Sequence, residues 1–270
     1  MKKYFLIITF FVTNILFISA QSSIDFQFIK KVKGDFVTFS VDQFENIYTL
    51  TSTGQLKKID ANGDSVAVFN SLSKFGKVSQ VDVSNPLQIL VFYKDFSTLL
   101  ILDRHLSVRN TIDLRKQNIF QVQAACLSYD KKIWLYDDLE NKLKKINEDG
   151  KLLLETVDFR HLFDGAYSFQ SIFESNELVY LYDIKKGLFV FDVYGALKNK
   201  IAIIDWENFV VEKDFLLGTK NDSLLRYRIS TLSFYEQKLP LSFRHATLIR
   251  FMASKLFVLK KEGIEIFVMK

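Results

Sequence analysis

The chain has 270 residues, 49% hydrophobic and 25% charged, a balance typical of a folded globular protein that excludes global disorder. Aromatic residues make up 15% of the chain and include 27 Phe and 11 Tyr. This favours β-strands, because flat side chains pack well on a pleated surface. The formal net charge of +5 is too small to indicate a nucleic-acid-binding protein.

The first twenty residues predict a secretory signal peptide. Lys2 and Lys3 precede an apolar run over residues 4–18, and two small residues ending at Ala20 follow. A membrane anchor is the alternative, but this run is short for a membrane span. We expect cleavage near Ala20, a single domain over residues 21–270, and no transmembrane span after cleavage. Because the segment holds two of the 36 basic residues and none of the 31 acidic ones, its removal lowers the net charge from +5 to +3.

Cys126 is the only cysteine, so the chain can form no internal disulfide. It lies in the apolar run AACL, which predicts a buried thiol with a packing role rather than a nucleophile.

A short pattern, a polar turn followed by an apolar strand, recurs six times. The second residues of these strands are Ile47, Ile89, Ile133, Leu178, Phe215 and Leu256, at intervals of 42, 44, 45, 37 and 41 residues. A second strand follows 8 to 10 residues later in each copy, beginning at Leu56, Leu99, Leu143, Leu188, Leu224 and Ile264. Two anchors that agree in all six copies indicate a true repeat.

Further strands flank these two in the repeat, giving four short strands in each copy. Four strands in about 40 residues are typical of a β-propeller blade, and six copies predict a ring of six blades. Helical solenoids have similar periods, but here apolar residues alternate with a period of two. The turns carry Asn62-Gly63 and Asp149-Gly150, which suit β-hairpins. The predicted fold is therefore all-β, a six-bladed propeller with four-stranded antiparallel blades.

The two ends of the chain indicate how the ring closes. The sixth copy stops at its third strand, IEIFVMK, and the alternating segment from Ile24 to Val32 belongs to no other copy. We expect this N-terminal strand to pair with the C-terminal blade and complete it, which would remove an exposed strand edge.

Two copies of the repeat resemble a known class of propeller. Residues 40–50, SVDQFENIYTL, with residues 54–63, GQLKKIDANG, are similar to the repeats of six-bladed propellers of the NHL-like and TolB-like type in secreted bacterial proteins. Copy three, SYDKKIWLYD with LKKINEDG, matches as well, whereas His105-Leu106 replaces the closing Gly in copy two and Asp222-Ser223 departs from the pattern in copy five. The resemblance covers residues 24–270 and implies the fold, because such families include enzymes, ligand binders and scaffolds.

Metal-binding patterns are weak. His105, His161 and His245 lie in different repeats without ligand spacing. The run from Asp60 to Asp64 resembles the start of a calcium loop, but Ser71 stands where such a loop needs a bidentate Glu. A hairpin turn is predicted instead, and we expect no metal and no cofactor.

No catalytic motif stands out, since the chain has no Gly-x-Ser-x-Gly elbow and no phosphate-binding Gly loop. Six-bladed lactonases hold a metal in the central tunnel, and the corresponding strands here offer only Asp82, Asn208 and Glu212. We interpret Asp137 and Asp138 as an exposed loop pair and Trp134 as a packing residue. We predict that the protein is not an enzyme. The alternatives are a tunnel-site hydrolase or lactonase, and a propeller that binds a sugar or peptidoglycan fragment.

Propellers usually bind partners on the face where loops lead into the innermost strands. These loops carry cationic and aromatic candidates, which would suit an acidic or aromatic-rich partner: Phe75, Arg115, Arg160, His161, Trp206, Arg244 and His245. Ordinary solvated loops are the alternative. An exposed Trp206 would favour an interface, whereas a buried one would fill the blade.

These features together predict an exported protein-binding or scaffold module of the bacterial cell envelope. We expect it in the periplasm, at the outer membrane or outside the cell, with an outer-membrane complex among the candidate partners and no nucleic acid. The Lys- and Phe-rich composition and the AQSS cleavage context favour a protein of the Bacteroidota.

Overall fold

The computed structural model describes residues 24–270 except residues 71, 164 and 166. The predicted signal peptide and its cleavage near Ala20 lie outside the described residues, and the start of the domain at residue 21 stays a prediction. Within the described residues, no helix has the length and apolar character needed to cross a membrane.

The described chain forms β-strands in six four-stranded antiparallel sheets. Strand β1 (Phe26–Lys33) comes first in the chain but belongs to the last sheet. Blade one contains β2 (Thr38–Val41), β3 (Ile47–Leu50), β4 (Leu56–Ile59) and β5 (Ser65–Phe69). Blade two contains β6 (Gln80–Asn85), β7 (Gln88–Tyr93), β8 (Thr98–Asp103) and β9 (Val108–Asp113). Blade three contains β10 (Val122–Leu127), β11 (Ile133–Asp137), β12 (Lys142–Ile146) and β13 (Leu152–Glu155).

The second half of the chain repeats this arrangement. Blade four contains β14 (Ser171–Ser175), β15 (Leu178–Asp183), β16 (Gly187–Asp192) and β17 (Leu197–Ile201). Blade five contains β18 (Glu207–Glu212), β19 (Phe215–Lys220), β20 (Ser223–Arg228) and β21 (Ser233–Lys238). Blade six contains β22 (Leu248–Met252), β23 (Lys255–Lys260) and β24 (Gly263–Met269), with β1 as its fourth strand.

The six blades form a closed ring. The first strand of each blade contacts the first strands of both neighbouring blades, so β2, β6, β10, β14, β18 and β22 surround a central channel. The prediction of a six-bladed propeller is confirmed.

The hydrophobic core lies between adjacent blades rather than at one centre. Six clusters of buried side chains each combine residues from two neighbouring blades, including a cluster that joins blade six to blade one. The second anchor of the repeat is buried in every copy. Because the middle strands are covered on both faces, strands such as β7 and β15 read as nearly continuous apolar runs.

The N-terminal strand closes the ring as predicted. Strand β1 pairs antiparallel with β24 from Phe26 opposite Met269 to Lys33 opposite Gly263. The Phe26 ring lies edge-on to the Phe243 ring at 5.4 Å, and Val32 packs against the cluster shared by blades six and one. Blade six is thus assembled from both ends of the described chain.

The ring has two faces with different loops. We call one the linker face: it carries the connections β1–β2, β5–β6, β9–β10, β13–β14, β17–β18 and β21–β22, and the loops between the second and third strands of each blade. The opposite, hairpin face carries the turns between the first and second strands and those between the third and fourth strands. Short 3-10 turns lie in four of the six connections: Leu72–Phe75, Leu114–Gln117, Phe159–His161 and Leu241–Phe243.

The turns between third and fourth strands explain the closing motif of the repeat. Asp60 Oδ1 accepts hydrogen bonds from the backbone N–H groups of Asn62, Gly63 and Asp64, so this carboxylate closes a hairpin, as the sequence predicts. Asp103 holds the same kind of turn in copy two, where Leu106 adopts φ 61° at the position that Gly fills elsewhere. Asn147 Oδ1 accepts the corresponding bonds in copy three, so the turn depends more on the side-chain oxygen of its first residue than on its glycine.

Candidate functional site

The predicted binding residues all lie in connections of the linker face. Five of the six connections between blades hold these candidates: Phe75, Arg115, Arg160 with His161, Trp206, and Arg244 with His245. Because these connections follow one another around the ring, the residues are distributed around the channel mouth and do not converge on a single point.

The arginines of these connections are exposed. Arg115 donates from Nη2 to the carbonyl oxygen of Asp95 at 2.9 Å. Arg160 pairs with Asp158 at 2.5 Å, and hydrogen bonding to this guanidinium lowers the pKa of Asp158 to about 2. Arg244 and His245 are also exposed. Their side chains are accessible to a partner on this face.

The two aromatic candidates are packed inward. Phe75 lies against Tyr93 with ring centroids 5.4 Å apart. Trp206 is only 6% exposed and packs in the cluster between blades four and five, with Phe209 at 6.3 Å. Gly218 makes room for the indole, since a Cβ there would lie 2.9 Å from a ring atom of Trp206. Trp206 therefore fills the core between these blades, the second of the two outcomes expected from the sequence, and a binding role for it stays a prediction.

A set of exposed apolar side chains on the linker face was missed by the sequence reasoning. These residues, here called the apolar arc, lie in the loops of blades two to four and are each 46% to 59% exposed: Phe96, Phe120, Leu139, Val157 and Leu162. Phe120 precedes the apolar strand β10, which begins at Val122. Its position in the sequence was the signal that could have identified it as a loop residue. Phe120 lies just before the alternating segment that pairs with β11.

The loops that carry the apolar arc are joined to one another. The joining hydrogen bonds run from Ser97 Oγ to Phe120 O (2.9 Å), from the Asp138 N–H to Gln121 O (2.8 Å), and from the Phe159 N–H to Asn141 O (2.8 Å). Each bond connects the loop of one arc residue to the loop of the next. The loops that carry the five side chains therefore adjoin one another in sequence along the linker face.

The residues considered as tunnel metal ligands join neighbouring blades. Asp82 accepts from the Leu127 N–H of blade three at 2.7 Å, and its other oxygen accepts from the Ser84 N–H at 2.8 Å. Asn208 Oδ1 accepts from the Ile249 N–H of blade six at 3.0 Å. Glu212 Oε1 accepts from the Ala253 N–H at 2.6 Å in the same pair of blades.

Burial raises the pKa of Asp82 and of Glu212, and the hydrogen bonds that each carboxylate accepts oppose that shift. Among the described residues, no group of three or more His, Cys, Asp or Glu side chains is placed to hold a metal ion.

Blade three holds one correction and one confirmation. Asp137 was interpreted as an exposed loop acid, but it is the last residue of β11, is buried, and pairs with Lys144 at 2.7 Å. Its neighbour Asp138 is partly exposed in the following loop. Trp134 is fully buried, as expected for a packing residue, and its Nε1–H donates to Glu174 Oε2 at 2.5 Å.

Comparison with known proteins identifies the fold alone. No protein-family model matches the chain, and no curated protein is significantly similar to it in sequence. A streptogramin B lyase structure matches with a TM-score of 0.60 and 10% identity, covering 92% of this chain and 87% of that one. A catalytically inactive virginiamycin B lyase from Staphylococcus aureus, with quinupristin, matches with a TM-score of 0.58 and 12% identity, covering 88% and 82%.

Structures of other kinds match to a similar degree. The Cps50 (Swd1) β-propeller domain of Myceliophteria thermophila has a TM-score of 0.64 and 8% identity, covering 91% of this chain and all of that one. A protein of unknown function from Bacteroides thetaiotaomicron has a TM-score of 0.63 and 10% identity, covering 91% and 72%. At these identities the likeness concerns the fold alone, which this chain shares with a lyase and with a β-propeller domain of another kind, and it decides nothing about enzymatic activity.

Proposed function

We propose that the chain is an exported, non-enzymatic propeller that binds a protein partner of the bacterial cell envelope through its linker face. The apolar arc carries this proposal. Single exposed apolar residues are ordinary, but a contiguous patch on one face is characteristic of an interaction surface. The five arc residues lie in loops tied to one another by hydrogen bonds, so the patch is held in a fixed arrangement.

The surroundings of the arc suit a protein partner. Arg115 lies in the same connection as Phe120, and Arg160 in the same connection as Leu162, so guanidinium groups flank the apolar side chains. Protein interfaces combine an apolar centre with a polar rim, and aromatic and Arg side chains contribute much of the binding energy. Acidic residues such as Asp138 lie on the same face, which gives the rim mixed charge. We therefore favour a protein over a polyanion.

The channel residues support binding over catalysis. A tunnel-site hydrolase or lactonase would use Asp82, Asn208 and Glu212, and each of these side chains accepts a backbone N–H that fastens one blade to the next. The proposal of export rests on the Lys2-Lys3 segment and the apolar run that follows it. The compartment we propose is the periplasm or the outer-membrane surface, with an outer-membrane complex as a candidate partner.

Site-specific photo-crosslinking in the producing cell tests this proposal. A photoreactive residue replaces Leu139 in the apolar arc or, as the matched control, Leu87, which is similarly exposed on the hairpin face. We expect one discrete adduct with an exported protein from the Leu139 position and none from the Leu87 position. Adducts from Leu87 alone, or from neither position, would contradict the proposal.

Binding of the partner identified in this way provides the second measurement. Phe120→Asp with Leu139→Asp should weaken binding by at least about tenfold, which corresponds to about 1.4 kcal/mol. Leu87→Asp should leave the affinity unchanged. Both proteins should keep the wild-type melting temperature within a few degrees, because all three side chains are largely exposed. An equal loss of affinity in the control would contradict the assignment of the face.

A further inference from the structure

The central channel contains a cavity of about 430 Å³. It is lined by the innermost strands of blades one, two, four, five and six. A smaller cavity of about 90 Å³ lies beside it, between blades one and two. The residues that line both cavities are Ser40, Ser79, Gln80, Val81 and Arg250. Polar groups are therefore concentrated where the two cavities adjoin.

Arg250 is the unusual member of this lining. It lies on β22, and within the described part of the chain its guanidinium forms no ion pair; its one hydrogen bond is from Nη1 to the neighbouring Ile249 O at 3.3 Å. Arg250 is partly exposed towards the channel, and its partial burial lowers its pKa to about 10. A partly desolvated cation without a counter-charge is costly to a fold. Such groups are concentrated at functional sites.

The other charged group that lines this cavity does not neutralise Arg250. Asp82 directs its two carboxylate oxygens to the N–H groups of Ser84 and Leu127, and burial raises its pKa. Glu212 lies nearby on β18 but lines a different cavity and is bonded to Ala253. The guanidinium is therefore left available to an anion that enters the channel.

Further donors are present beside the guanidinium. Ser79 Oγ accepts from the Lys94 N–H at 3.1 Å, which leaves its hydroxyl hydrogen free to donate, and Gln80 contributes a carboxamide. The remaining walls of the larger cavity include Phe173, Val210 and Leu248, which are apolar. Polar donors and apolar walls are thus combined in one space.

We propose that the central channel binds a small organic monocarboxylate, whose carboxylate lies on the guanidinium of Arg250 with Ser79 and Gln80 as additional donors. The planar guanidinium matches a carboxylate with two parallel hydrogen bonds. One unmatched cation, with Asp82 in the same cavity, favours a single negative charge over a phosphate dianion. The cavity volume falls within the range of about 300–1,000 Å³ that is usual for small-molecule sites. This proposal does not depend on the protein-binding role of the linker face.

Saturation-transfer NMR with benzoate as the probe tests the site, with benzamide as the uncharged analogue of the same shape. We expect benzoate to give saturation-transfer signals with the purified wild-type protein. Arg250→Met should weaken benzoate binding by at least about tenfold, and wild type should bind benzamide at least about tenfold more weakly than benzoate. Arg109→Met, which removes an exposed arginine on β9, is the matched control and should leave benzoate binding unchanged. Equal binding of benzoate and benzamide, or equal binding by wild type and Arg250→Met, would overturn the proposal. Inorganic phosphate should displace benzoate no better than chloride at equal ionic strength. Specific displacement by phosphate would overturn the preference for a monocarboxylate.

Stability separates a binding role from a structural one. Because the guanidinium of Arg250 lacks a counter-charge, Arg250→Met should raise the melting temperature while it abolishes benzoate binding, whereas loss of a structural arginine would lower it. If Arg250→Met does not fold, Gln80→Leu gives an independent measurement. That variant should weaken benzoate binding with Arg250 intact, and an unchanged affinity would overturn the proposed geometry.

Discussion

Lys144 and Asp137 form an ion pair inside blade three, with Nζ 2.7 Å from Oδ2 and side chains only 3% and 1% exposed. Strand pairing creates it, because Lys144 lies opposite Leu135, two residues before Asp137 on the same side of the sheet. The other oxygen of Asp137 accepts from the Leu139 N–H at 3.1 Å. The pair therefore ties the end of β11 to β12 and to the loop that carries part of the apolar arc.

Loss of one partner of this pair should be strongly destabilising. Lys144→Met leaves the buried carboxylate of Asp137 without its cation, and we expect the free energy of unfolding to fall by about 3–5 kcal/mol. The double variant Lys144→Met with Asp137→Asn should recover part of this loss, because no buried charge is then uncompensated. Glu140, which also pairs with Lys144 at 3.0 Å, keeps Lys142 as a partner at 3.3 Å. Urea denaturation of the purified proteins measures both effects.

Lys142→Met is the matched control for this prediction. Lys142 lies on the same strand and pairs with Glu155 at 2.8 Å, but its side chain is partly exposed. Such surface pairs contribute about 0–1 kcal/mol. If Lys142→Met and Lys144→Met cost the same, the buried pair has no special role.

The ring could be predicted from the sequence because its information is repeated. The second anchor of the repeat, for example Leu56 and Leu143, is buried in every blade. Six copies that share one spacing between anchors therefore check one another, because a misplaced strand in one copy would differ from the spacing in the rest. Closure was predictable for a related reason. Strand β1 was the one alternating segment without a blade, and β24 was the one edge without a partner.

Burial in the loops could not be predicted in the same way, since it depends on the neighbouring blade. Asp137 ends β11 and Trp206 directly precedes β18, and both positions look exposed when a single copy is considered. Lys144 of β12 covers Asp137, and the cluster between blades four and five covers Trp206. Arg250 was missed because a strand residue that faces the channel has the same sequence pattern as one that faces a neighbouring blade. Only the closed ring shows which side is the channel.

Gly263 should be sensitive to the addition of a single methyl group. Its φ is +133°, and a Cβ there would lie 2.1 Å from the backbone oxygen of Val32 on the closing strand β1. Gly263→Ala should therefore displace β1. We expect it to lower the free energy of unfolding and to speed limited proteolysis within residues 26–33.

Gly63→Ala separates steric contact from backbone strain. Gly63 has φ +105° but nothing within 4 Å of the added Cβ, so this variant should show only the strain of the backbone, about 1–3 kcal/mol. Gly263→Ala should cost about 1–3 kcal/mol more, as is usual for overpacking. Equal losses and unchanged proteolysis would show that the closing strand does not depend on this contact.

Glu212 should make stability depend on pH. Burial raises its pKa above the ordinary value of 4.5, so the folded state binds its proton more tightly than the unfolded state does. Wild-type stability should therefore decrease as pH rises through the folded pKa, relative to a variant that cannot ionise. Glu212→Gln keeps an oxygen for the Ala253 N–H and should be more stable than wild type at about pH 7.5, with the difference vanishing near about pH 4.

Glu212→Leu is the control that removes the acceptor as well as the charge. It leaves the Ala253 N–H without its partner and should be less stable than Glu212→Gln at both pH values, by about 1–3 kcal/mol. Chemical denaturation at the two pH values measures all three proteins. A stability difference between wild type and Glu212→Gln that grows as pH falls would show that the folded pKa is lowered instead.

Cys126 should be unreactive in the folded protein. Burial raises the pKa of its thiol well above the ordinary value, and the carboxylates of Asp82 and Glu174 raise it further, so little thiolate forms near neutral pH. With a thiol-specific disulfide reagent at about pH 8, we expect the labelling rate of the native protein to be limited by the opening of the blades. The unfolded protein should be labelled immediately. Leu232→Cys in a Cys126→Ala background places a thiol at an exposed position of the hairpin face and should react rapidly in the native state. Labelling of native Cys126 at a comparable rate would mean that the cluster between blades three and four, in which it packs, is open to solvent.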